Sequence, residues 1–290
     1  AKKLFSPSIM LVFLMFDHLG GLNTLFHILT SGSHAVIPKT RTAEGVAKLI
    51  EVHKVNLLPT SPTFLNILML SGASKLYDLS SIKLITYGTE PMPQSVLTRA
   101  QETFCNSKFL QTFGTSETGV ARTKSKSSDS TKIKFEDINN EIKVVDGELW
   151  IKSQTQILGY LNASMEQFTD DGWFKTGDMV DLGNDGFMTI KGRRTEMINI
   201  GGEKVLPGEV ESILLGMEEV SDCIVSGIPN AITGQAVSAK VVISSDMDIK
   251  TLKRAIRHYC KDKIANYKIP TKISIVSSVN IGSRYKKIRR

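Results

Sequence analysis

The chain has 290 residues, 41% of them hydrophobic and 22% charged, which is typical of a globular protein and excludes a disordered, collagen-like or coiled-coil chain. Its length predicts one large domain or two unequal ones. The three cysteines are far apart and odd in number, which argues against a disulfide framework or a cysteine zinc site and favours a reducing, cytoplasmic location. The longest apolar run, residues 8–16, is about half of what a transmembrane helix needs, so no integral membrane association is expected.

The net charge of +7 is concentrated near the C-terminal end. Residues 248–290 contain thirteen Lys and Arg against two Asp, a net +11, so the rest of the chain is slightly acidic. Such a basic region indicates either anionic partners or a solvated face. No zinc-finger, RRM or helix-turn-helix pattern accompanies the charge, so we do not expect a nucleic-acid partner.

In the first third, short β-branched runs alternate with longer amphipathic runs, which is typical of a parallel sheet covered by helices. The predicted strands are 9–16, 35–37, 55–58, 82–87 and 109–112. The predicted helices are 22–29, 43–53, 62–71 and 94–104. Ser61 followed by Pro62 is typical of a helix N-cap with proline in the first turn.

The middle of the chain has a different pattern. Residues 122–140 are rich in Lys, Ser, Thr and Asp, which predicts a polar loop or hairpin outside the core. Three short strands follow, and Asp-Gly dipeptides between them indicate hairpin turns. Their predicted ranges are 141–145, 148–152 and 186–190. This region therefore predicts an antiparallel β subdomain packed beside the first sheet.

The last region predicts a small α+β domain. A helix is expected after Pro207 and another over 249–260. The expected strands lie at 223–226, 236–243 and 272–276.

Three polar segments contain residues suited to nucleotide chemistry. In FLQTFGTSETG (109–119), a strand leads into Gly, Thr and Ser that can meet phosphate oxygens, and Glu117 can hold a divalent ion. In GWFKTGDMVD, Asp178 follows a Thr-Gly turn and can accept two hydrogen bonds from a ribose diol. Residues 190–211 surround the expected domain boundary and contain Arg193, the Gly201-Gly202 pair and Lys204. An arginine and a lysine on either side of a hinge are suited to bind phosphate. Capped turns and a solvated surface patch are the structural alternatives.

These segments, in this order, resemble the adenylate-forming superfamily of acyl-CoA synthetases, peptide synthetase adenylation domains and firefly luciferase. The matching phrases are YGTEPMP, FGTSETG, GELWIKSQTQILGYLN, GWFKTGDMVDL, GFMTIKGRRTEMINIGGEKVLPGEVE and the closing KKIRR. The resemblance extends upstream through FDHLGGLNTL and VNLLPTSPTFLNIL. It implies a partial N-terminal AMP-binding domain in residues 1–194 and a small mobile C-terminal domain, joined by a hinge, in residues 195–290.

The resemblance also implies roles for individual residues. The loop of residues 88–90 would lie on one side of the adenine and Phe113 on the other. Ser116 would contact the α-phosphate, and Asp178 and Arg193 would hold the ribose hydroxyls. The full set implied for the nucleotide is Gly88, Thr89, Glu90, Phe113, Gly114, Thr115, Ser116, Asp178 and Arg193.

The remaining implied residues concern the metal, the acyl group and domain movement. Glu117 would bind Mg²⁺, and Lys287 would contact the carboxylate and phosphate oxygens during adenylation. Thr195 matches the hinge position, and His18 lies where the acyl pocket is expected. The loop that faces the site during thioester formation would contain Gly201, Gly202 and Lys204.

Three departures from the family pattern matter. The glycine-rich phosphate loop normally precedes the region where this chain begins, and LTSGSHAVIPK (29–39) imitates it only superficially, so the chain looks like a fragment without the front of the large domain. Lys286 stands where glycine is usual, which puts the register of Lys287 in doubt. Thr195 has no charge, which puts electrostatic control of domain rotation in doubt.

The resemblance predicts an AMP-forming ligase that uses ATP and Mg²⁺ to convert a carboxylic acid, as in fatty acid metabolism, into an acyl-adenylate. The acyl group then passes to the thiol of CoA. One alternative is transfer to the pantetheine of a carrier protein. The other is a catalytically incomplete fragment that binds nucleotide without turnover.

Overall fold

A five-stranded parallel sheet forms the first part of the chain in the computed structural model, which describes residues 7–289. Residues 1–6 and Arg290, the outer ends of the predicted domains, lie outside the described residues. The strands are β1 (Ile9–Leu11), β2 (His34–Val36), β3 (Leu57–Thr60), β4 (Leu84–Tyr87) and β5 (Lys108–Gln111). Their order in the sheet is β2-β1-β3-β4-β5, with every pair parallel.

Helices connect these strands, as the sequence predicts. They are α1 (Leu19–Ser31), α2 (Ala43–His53), α3 (Pro62–Leu70), α4 (Ala73–Leu76) and α5 (Gln94–Thr103). At the start of α3, the Ser61 side chain accepts a hydrogen bond from the Phe64 amide at 3.1 Å, which confirms the predicted cap. Residues 29–39 form the end of α1 and β2, so this segment is a helix end and a strand.

The predicted strand over 9–16 is shorter in the structure. It ends at Leu11, because the chain then leaves the sheet towards α1. Phe13 lies beyond the end of the strand but is still part of the apolar run, because its side chain is buried. Its ring centroid is 4.0 Å from that of Phe64. The apolar composition of residues 9–16 therefore indicates which residues are buried, and it does not indicate where the strand ends.

An antiparallel subdomain follows. A hairpin is formed by β6 (Phe113–Thr115) and β7 (Gly119–Ala121). The larger sheet contains β8 (Thr123–Ser125), β9 (Lys132–Phe135), β10 (Asn140–Val145), β11 (Glu148–Ser153), β12 (Phe174–Leu182) and β13 (Met188–Arg193). Its order is β10-β11-β12-β13-β9-β8.

One expectation about this subdomain was wrong. Residues 122–140 do contain the predicted hairpin, but Ile133 is fully buried in the core of the sheet, because alternate residues of β9 face inward. Asp178 lies inside β12, a strand that the sequence did not predict. Gly177 has a φ of 73° within this strand, which is the left-handed bend expected at the Thr-Gly pair. Burial alternates along β12, but two of its buried residues, Thr176 and Asp178, are polar, so the hydrophobic alternation that predicts a strand is absent.

The small domain begins after a 3₁₀ turn at Arg194–Glu196. Its elements are β14 (Ile198–Ile200), β15 (Glu203–Val205), α6 (Pro207–Leu214), β16 (Val220–Asn230), β17 (Gly234–Ile243), α7 (Ile249–Lys261) and β18 (Lys272–Ile275). The sequence predicted all of them except β14 and β15. The exact boundary between residues 194 and 195 stays a prediction. None of the helices in residues 7–289 is long and apolar enough to span a membrane.

The C-terminal segment returns to the large domain. The ring of Tyr285 lies 5.1 Å from that of Phe13 and 5.0 Å from that of Phe64. The Ser61 hydroxyl donates to the Tyr285 carbonyl at 2.9 Å, and the Arg41 guanidinium donates to the Ser283 carbonyl at 2.9 Å. Residues 283–287 are thereby held beside the C-terminal ends of β1 and β3, the edge where ligands bind in open α/β sheets.

Candidate active site

Two adjoining cavities of about 220 and 450 Å³ open at this edge of the sheet. They share Gly88, Phe113, Arg193 and Lys286 in their walls. The sequence-predicted residues of the 220 Å³ cavity are Gly88, Thr89, Glu90, Phe113, Gly114, Asp178, Arg193 and Lys287. Those that line only the 450 Å³ cavity are His18, Thr115, Ser116 and Glu117. Tertiary folding thus brings together residues from six separate sequence motifs.

The residues implied for the second half-reaction lie elsewhere. Gly201, Gly202 and Lys204 are exposed on the hairpin of β14 and β15 and line neither cavity. Thr195 is exposed in the turn between the domains. In this arrangement the structure therefore assembles the nucleotide-site candidates without the thioester-loop candidates.

The loop after β4 passes very close to the next strand. A Cβ atom on Gly88 would lie 2.7 Å from the backbone oxygen of Thr112, so only glycine fits. Thr89 has a φ of 75°, a conformation that a β-branched residue adopts at a cost of about 1–3 kcal/mol and that clusters at binding sites. The Glu90 carboxylate accepts a hydrogen bond from the Thr63 amide at 2.8 Å and so ties the loop to the start of α3. Burial raises the pKa of Glu90, and this hydrogen bond opposes the rise.

We predict that Gly88→Ala lowers both stability and nucleotide affinity. The added methyl group must displace the backbone at Thr112, and overpacking of this kind costs about 1–3 kcal/mol. Thermal unfolding and titration with AMP would measure the two effects. Gly159→Ala is the matched control, because its nearest new neighbour is Met165 at 3.9 Å; equal behaviour of the two variants would contradict the prediction.

Asp178 and Arg193 lie opposite each other on β12 and β13. The Nε atom of Arg193 is 3.0 Å from a carboxylate oxygen of Asp178, and its Nη1 donates to the Thr176 carbonyl at 2.7 Å. Asp178 is 7% exposed. Burial raises its pKa to about 6, although Arg193 pulls the pKa down. Among residues 7–289 no hydrogen bond or ion pair involves the second oxygen of this carboxylate, and Asp178 lines the 220 Å³ cavity.

Sequence reasoning missed the residues that hold Asp178 in place. Glu148 is 4% exposed; one of its oxygens accepts from the Gly177 amide and the other from Arg194, both at 2.8 Å. The Thr176 hydroxyl donates to the Leu149 carbonyl and accepts from the Asp178 amide. The only sequence signal for Glu148 is an acidic residue directly after an Asp-Gly turn at the start of a predicted strand.

The segment FGTSETG lines the junction of the cavities. Phe113 is buried with its ring 5.5 Å from that of Phe135. The Thr115 hydroxyl pairs with that of Thr118 at 3.0 Å, whereas Ser116 is exposed to the cavity. Glu117 accepts a hydrogen bond from the Tyr160 hydroxyl at 2.9 Å. Burial and this hydrogen bond raise the pKa of Tyr160 to about 12.

Glu117 is the candidate ligand for Mg²⁺ in the 450 Å³ cavity. Within residues 7–289 there is no cluster of three or more acidic, His or Cys side chains that could hold a metal. Mg²⁺ nevertheless commonly binds through one or two carboxylates together with substrate phosphates and water. A single carboxylate facing the cavity beside Ser116 therefore fits a magnesium ion that arrives with a nucleotide.

The two adjacent lysines of the C-terminal segment differ in their surroundings. The Nζ atom of Lys287 is 2.8 Å from an Asp222 oxygen and 2.7 Å from the Cys223 carbonyl. Lys286 lines both cavities. Arg289 pairs with Glu211 at 2.8 Å and with Glu196 at 3.0 Å, so the segment is linked to the interdomain turn.

Comparisons with known proteins agree with this architecture. The parallel sheet, the antiparallel subdomain and the small α+β domain match the structures of adenylate-forming enzymes. Residues 3–161 match the AMP-binding enzyme family, and residues 209–281 match the AMP-binding enzyme C-terminal domain. The chain belongs to the AMP-binding enzyme family, as the sequence motifs predicted.

Named relatives are CoA ligases. The 2-succinylbenzoate–CoA ligase of Bacillus licheniformis is 30% identical over 281 residues, which cover 90% of this chain and 56% of the relative. The 4-coumarate–CoA ligase-like 2 of Arabidopsis thaliana is 28% identical over 277 residues, which cover 88% of this chain and 48% of the relative. The chain spans about half the length of these curated relatives.

Solved structures confirm the fold. An anthranilate CoA ligase in complex with anthranoyl-AMP superimposes with a TM-score of 0.83 at 23% identity, over 98% of this chain and 58% of that one. The o-succinylbenzoate CoA synthetase of Bacillus subtilis, in complex with its acyl-adenylate intermediate, gives 0.78 at 27% identity, over 97% and 60%.

Proposed function

We propose that this chain belongs to an AMP-forming acid–thiol ligase that activates a carboxylic acid with ATP and passes the acyl group to the thiol of CoA. The observation that carries the proposal is the buried Asp178 carboxylate, paired with the half-exposed Arg193 guanidinium, in the wall of a cavity that also holds Gly88 and Phe113. A buried carboxylate with one free oxygen binds a ribose diol, and the glycine and the aromatic ring leave a flat slot for a base.

In the first step, a carboxylate oxygen of the acid attacks the α-phosphorus of ATP. The bond from that phosphorus to the bridging oxygen of pyrophosphate breaks, and acyl-adenylate and pyrophosphate form. Asp178 and Arg193 hold the nucleotide, and Ser116 donates to an α-phosphate oxygen. Glu117 would hold Mg²⁺, whose charge offsets that of the phosphate oxygens. Catalysis in this site rests on positioning and charge neutralisation.

In the second step, the CoA thiol attacks the acyl carbon, and AMP leaves with its phosphate oxygen. Because Gly201, Gly202 and Lys204 are exposed and outside both cavities, we infer that the small domain rotates about Thr195 to bring them to the site. The present arrangement then corresponds to adenylation. His18 lines the 450 Å³ cavity, and we assign that cavity to the acyl group.

CoA is the acceptor that the relatives favour, since they carry CoA ligase names. The basic C-terminal region supports the same choice, because CoA carries phosphates. Competition between free CoA and a pantetheine-bearing carrier protein would separate the two acceptors. The free cysteines, two of them buried, support a reducing, cytoplasmic location.

Binding and turnover test the proposal separately. We expect the protein to bind AMP, and Asp178→Ala to weaken that binding at least about tenfold, the effect of losing a hydrogen bond to a charged group. Asp181→Ala is the matched control, since its side chain is 73% exposed on the same strand. Absence of AMP binding to the native chain would contradict the proposal.

Pyrophosphate release from ATP, measured with a panel of carboxylic acids and Mg²⁺, then distinguishes a working ligase from the alternative of an incomplete fragment. Acid-dependent release supports the ligase. Binding of AMP without release under any condition supports a nucleotide-binding fragment.

A further inference from the structure

Arg41 differs from the other cations in the wall of the 450 Å³ cavity, which contains four cationic side chains in all. The other three have a carboxylate near them. They are Arg193 beside Asp178, Arg284 beside Asp17, and Lys286, which Glu90 and Asp178 attract. Within residues 7–289 no ion pair involves Arg41, so its charge is available to a ligand.

The Arg41 guanidinium is nevertheless held in a fixed position. Its Nη2 atom donates to the Ser283 carbonyl at 2.9 Å. Its central carbon lies 5.9 Å from the ring centroid of Phe13 and 5.5 Å from that of Tyr285. In the described part of the chain, its other N–H groups form no hydrogen bond. A guanidinium that is ordered in this way is preorganised to bind a carboxylate through two hydrogen bonds.

The surroundings of Arg41 fit the acid substrate better than the nucleotide phosphates. Arg41 lies over Phe13, beyond the end of β1, and β1 is two strands from β4, after which the loop with Gly88 begins. At about 4.8 Å per strand, roughly 10 Å separate the two places. Leu14 and Met15, which follow Phe13, line the same cavity. Such apolar walls favour the hydrocarbon part of an acid over a hydrated triphosphate.

The charge of the whole cavity favours a substrate with more than one negative group. Its four cationic side chains face the single carboxylate of Glu117, and a cleft with walls of one charge concentrates ligands of the opposite charge. In the proposed reaction, one carboxylate of the acid lies at the α-phosphorus of ATP, beside Ser116. A second carboxylate at the far end of the acid would meet Arg41.

We propose that the substrate of this chain is a dicarboxylic acid with a hydrocarbon middle, and that Arg41 binds the carboxylate that does not react. This inference rests on the proposed function and names its substrate class. Arg41 is then a specificity-determining residue, because it selects the acid and takes no part in the bond changes at phosphorus. An acid with an apolar far end would leave the Arg41 charge without a counter-ion against a hydrocarbon tail, which is unfavourable.

Titration calorimetry in the presence of saturating AMP would test the substrate class. The probes are pairs of unbranched acids with equal numbers of carbons, one monocarboxylic and one dicarboxylic, from butanoate and butanedioate to decanoate and decanedioate. At the best chain length, we expect the native protein to bind the dicarboxylic acid at least about tenfold more tightly, the effect of a hydrogen bond between charged groups. Arg41→Met should remove this preference without changing the affinity for monocarboxylic acids or AMP. Arg41→Lys should keep part of the preference, because it keeps the charge and loses the bidentate geometry.

Lys39→Met is the matched control. Lys39 is exposed, lies two positions from Arg41 and lines neither of the two cavities, so the variant should behave like the native protein. Loss of ATP affinity in Arg41→Met, with the preference for the dicarboxylic acid intact, would overturn the proposal by assigning Arg41 to the phosphates. Equal loss of AMP and of both kinds of acid, with a lower melting temperature, would overturn it by showing a structural role.

The native protein alone separates this proposal from the function on which it rests. Equal affinity for the two acids of every pair, together with AMP binding, would overturn the proposal and leave the proposed function standing. Absence of AMP binding would contradict the proposed function itself.

Discussion

Asp178→Asn is expected to stabilise the protein at pH 8 while removing most of its nucleotide affinity. Burial raises the pKa of Asp178 to about 6 in the folded protein, against an ordinary value of 3.8. Because the folded-state pKa is the higher one, the contribution of this group to stability is fully present below pH 3.8 and is lost as the pH rises through about 6. The difference of about two pKa units corresponds to roughly 3 kcal/mol. Asparagine does not ionise and escapes this cost.

Urea unfolding at pH 4 and pH 8 would measure the effect on stability. We expect the free energy of unfolding of Asp178→Asn to exceed that of the native protein by about 2–3 kcal/mol at pH 8 and by little at pH 4. AMP titration should show weaker binding, because an amide accepts hydroxyl hydrogen bonds less strongly than a carboxylate. Asp181→Asn, exposed on the same strand, should match the native protein in both assays. A loss of stability at pH 8 would mean that the Arg193 ion pair outweighs the cost of burying the carboxylate.

Asp222→Ala is expected to lower the free energy of unfolding by about 3–5 kcal/mol, the usual cost of removing one partner of a buried ion pair. Asp222 accepts hydrogen bonds from the Lys287 ammonium and from the Cys223 amide, both at 2.8 Å. Burial alone would lower the pKa of Lys287, but the Glu211, Cys223 and Asp222 groups around it hold that pKa above its usual range. Without Asp222, the buried ammonium loses the carboxylate that it contacts directly at 2.8 Å.

Thermal and urea unfolding at pH 7 would test this expectation. Asp246→Ala removes an exposed carboxylate from the loop before α7 and should unfold like the native protein. Addition of AMP should raise the melting temperature of Asp222→Ala, since the residues that we propose to hold the nucleotide are unchanged. A native melting temperature for Asp222→Ala without ligand would show that the pair with Lys287 contributes nothing to stability.

Local patterns along the chain were enough to predict the class of fold. The helix over 43–53 was predicted to the residue, and the cap at Ser61 was correct, because capping and periodicity depend on residues only a few positions apart. The segment with Asp178 was found because an acid after a Thr-Gly pair leaves a local signature, whereas the role of Gly88 was implied only by the family resemblance. Strand β12 was not predicted, because its buried residues Thr176 and Asp178 are polar and hide the hydrophobic alternation of a strand.

The sequence by itself therefore determined the family, the alternation of strands and helices, and candidate residues that the structure gathers around two adjoining cavities. Only the tertiary structure decided which partner each charged group has. Lys287 meets Asp222 across 65 positions of the chain, and Glu148 meets Arg194 across 46. Contacts at such separations depend on how sheets and domains pack, and no periodicity encodes them. For that reason two neighbouring lysines that look equivalent in the sequence have different surroundings in the folded protein.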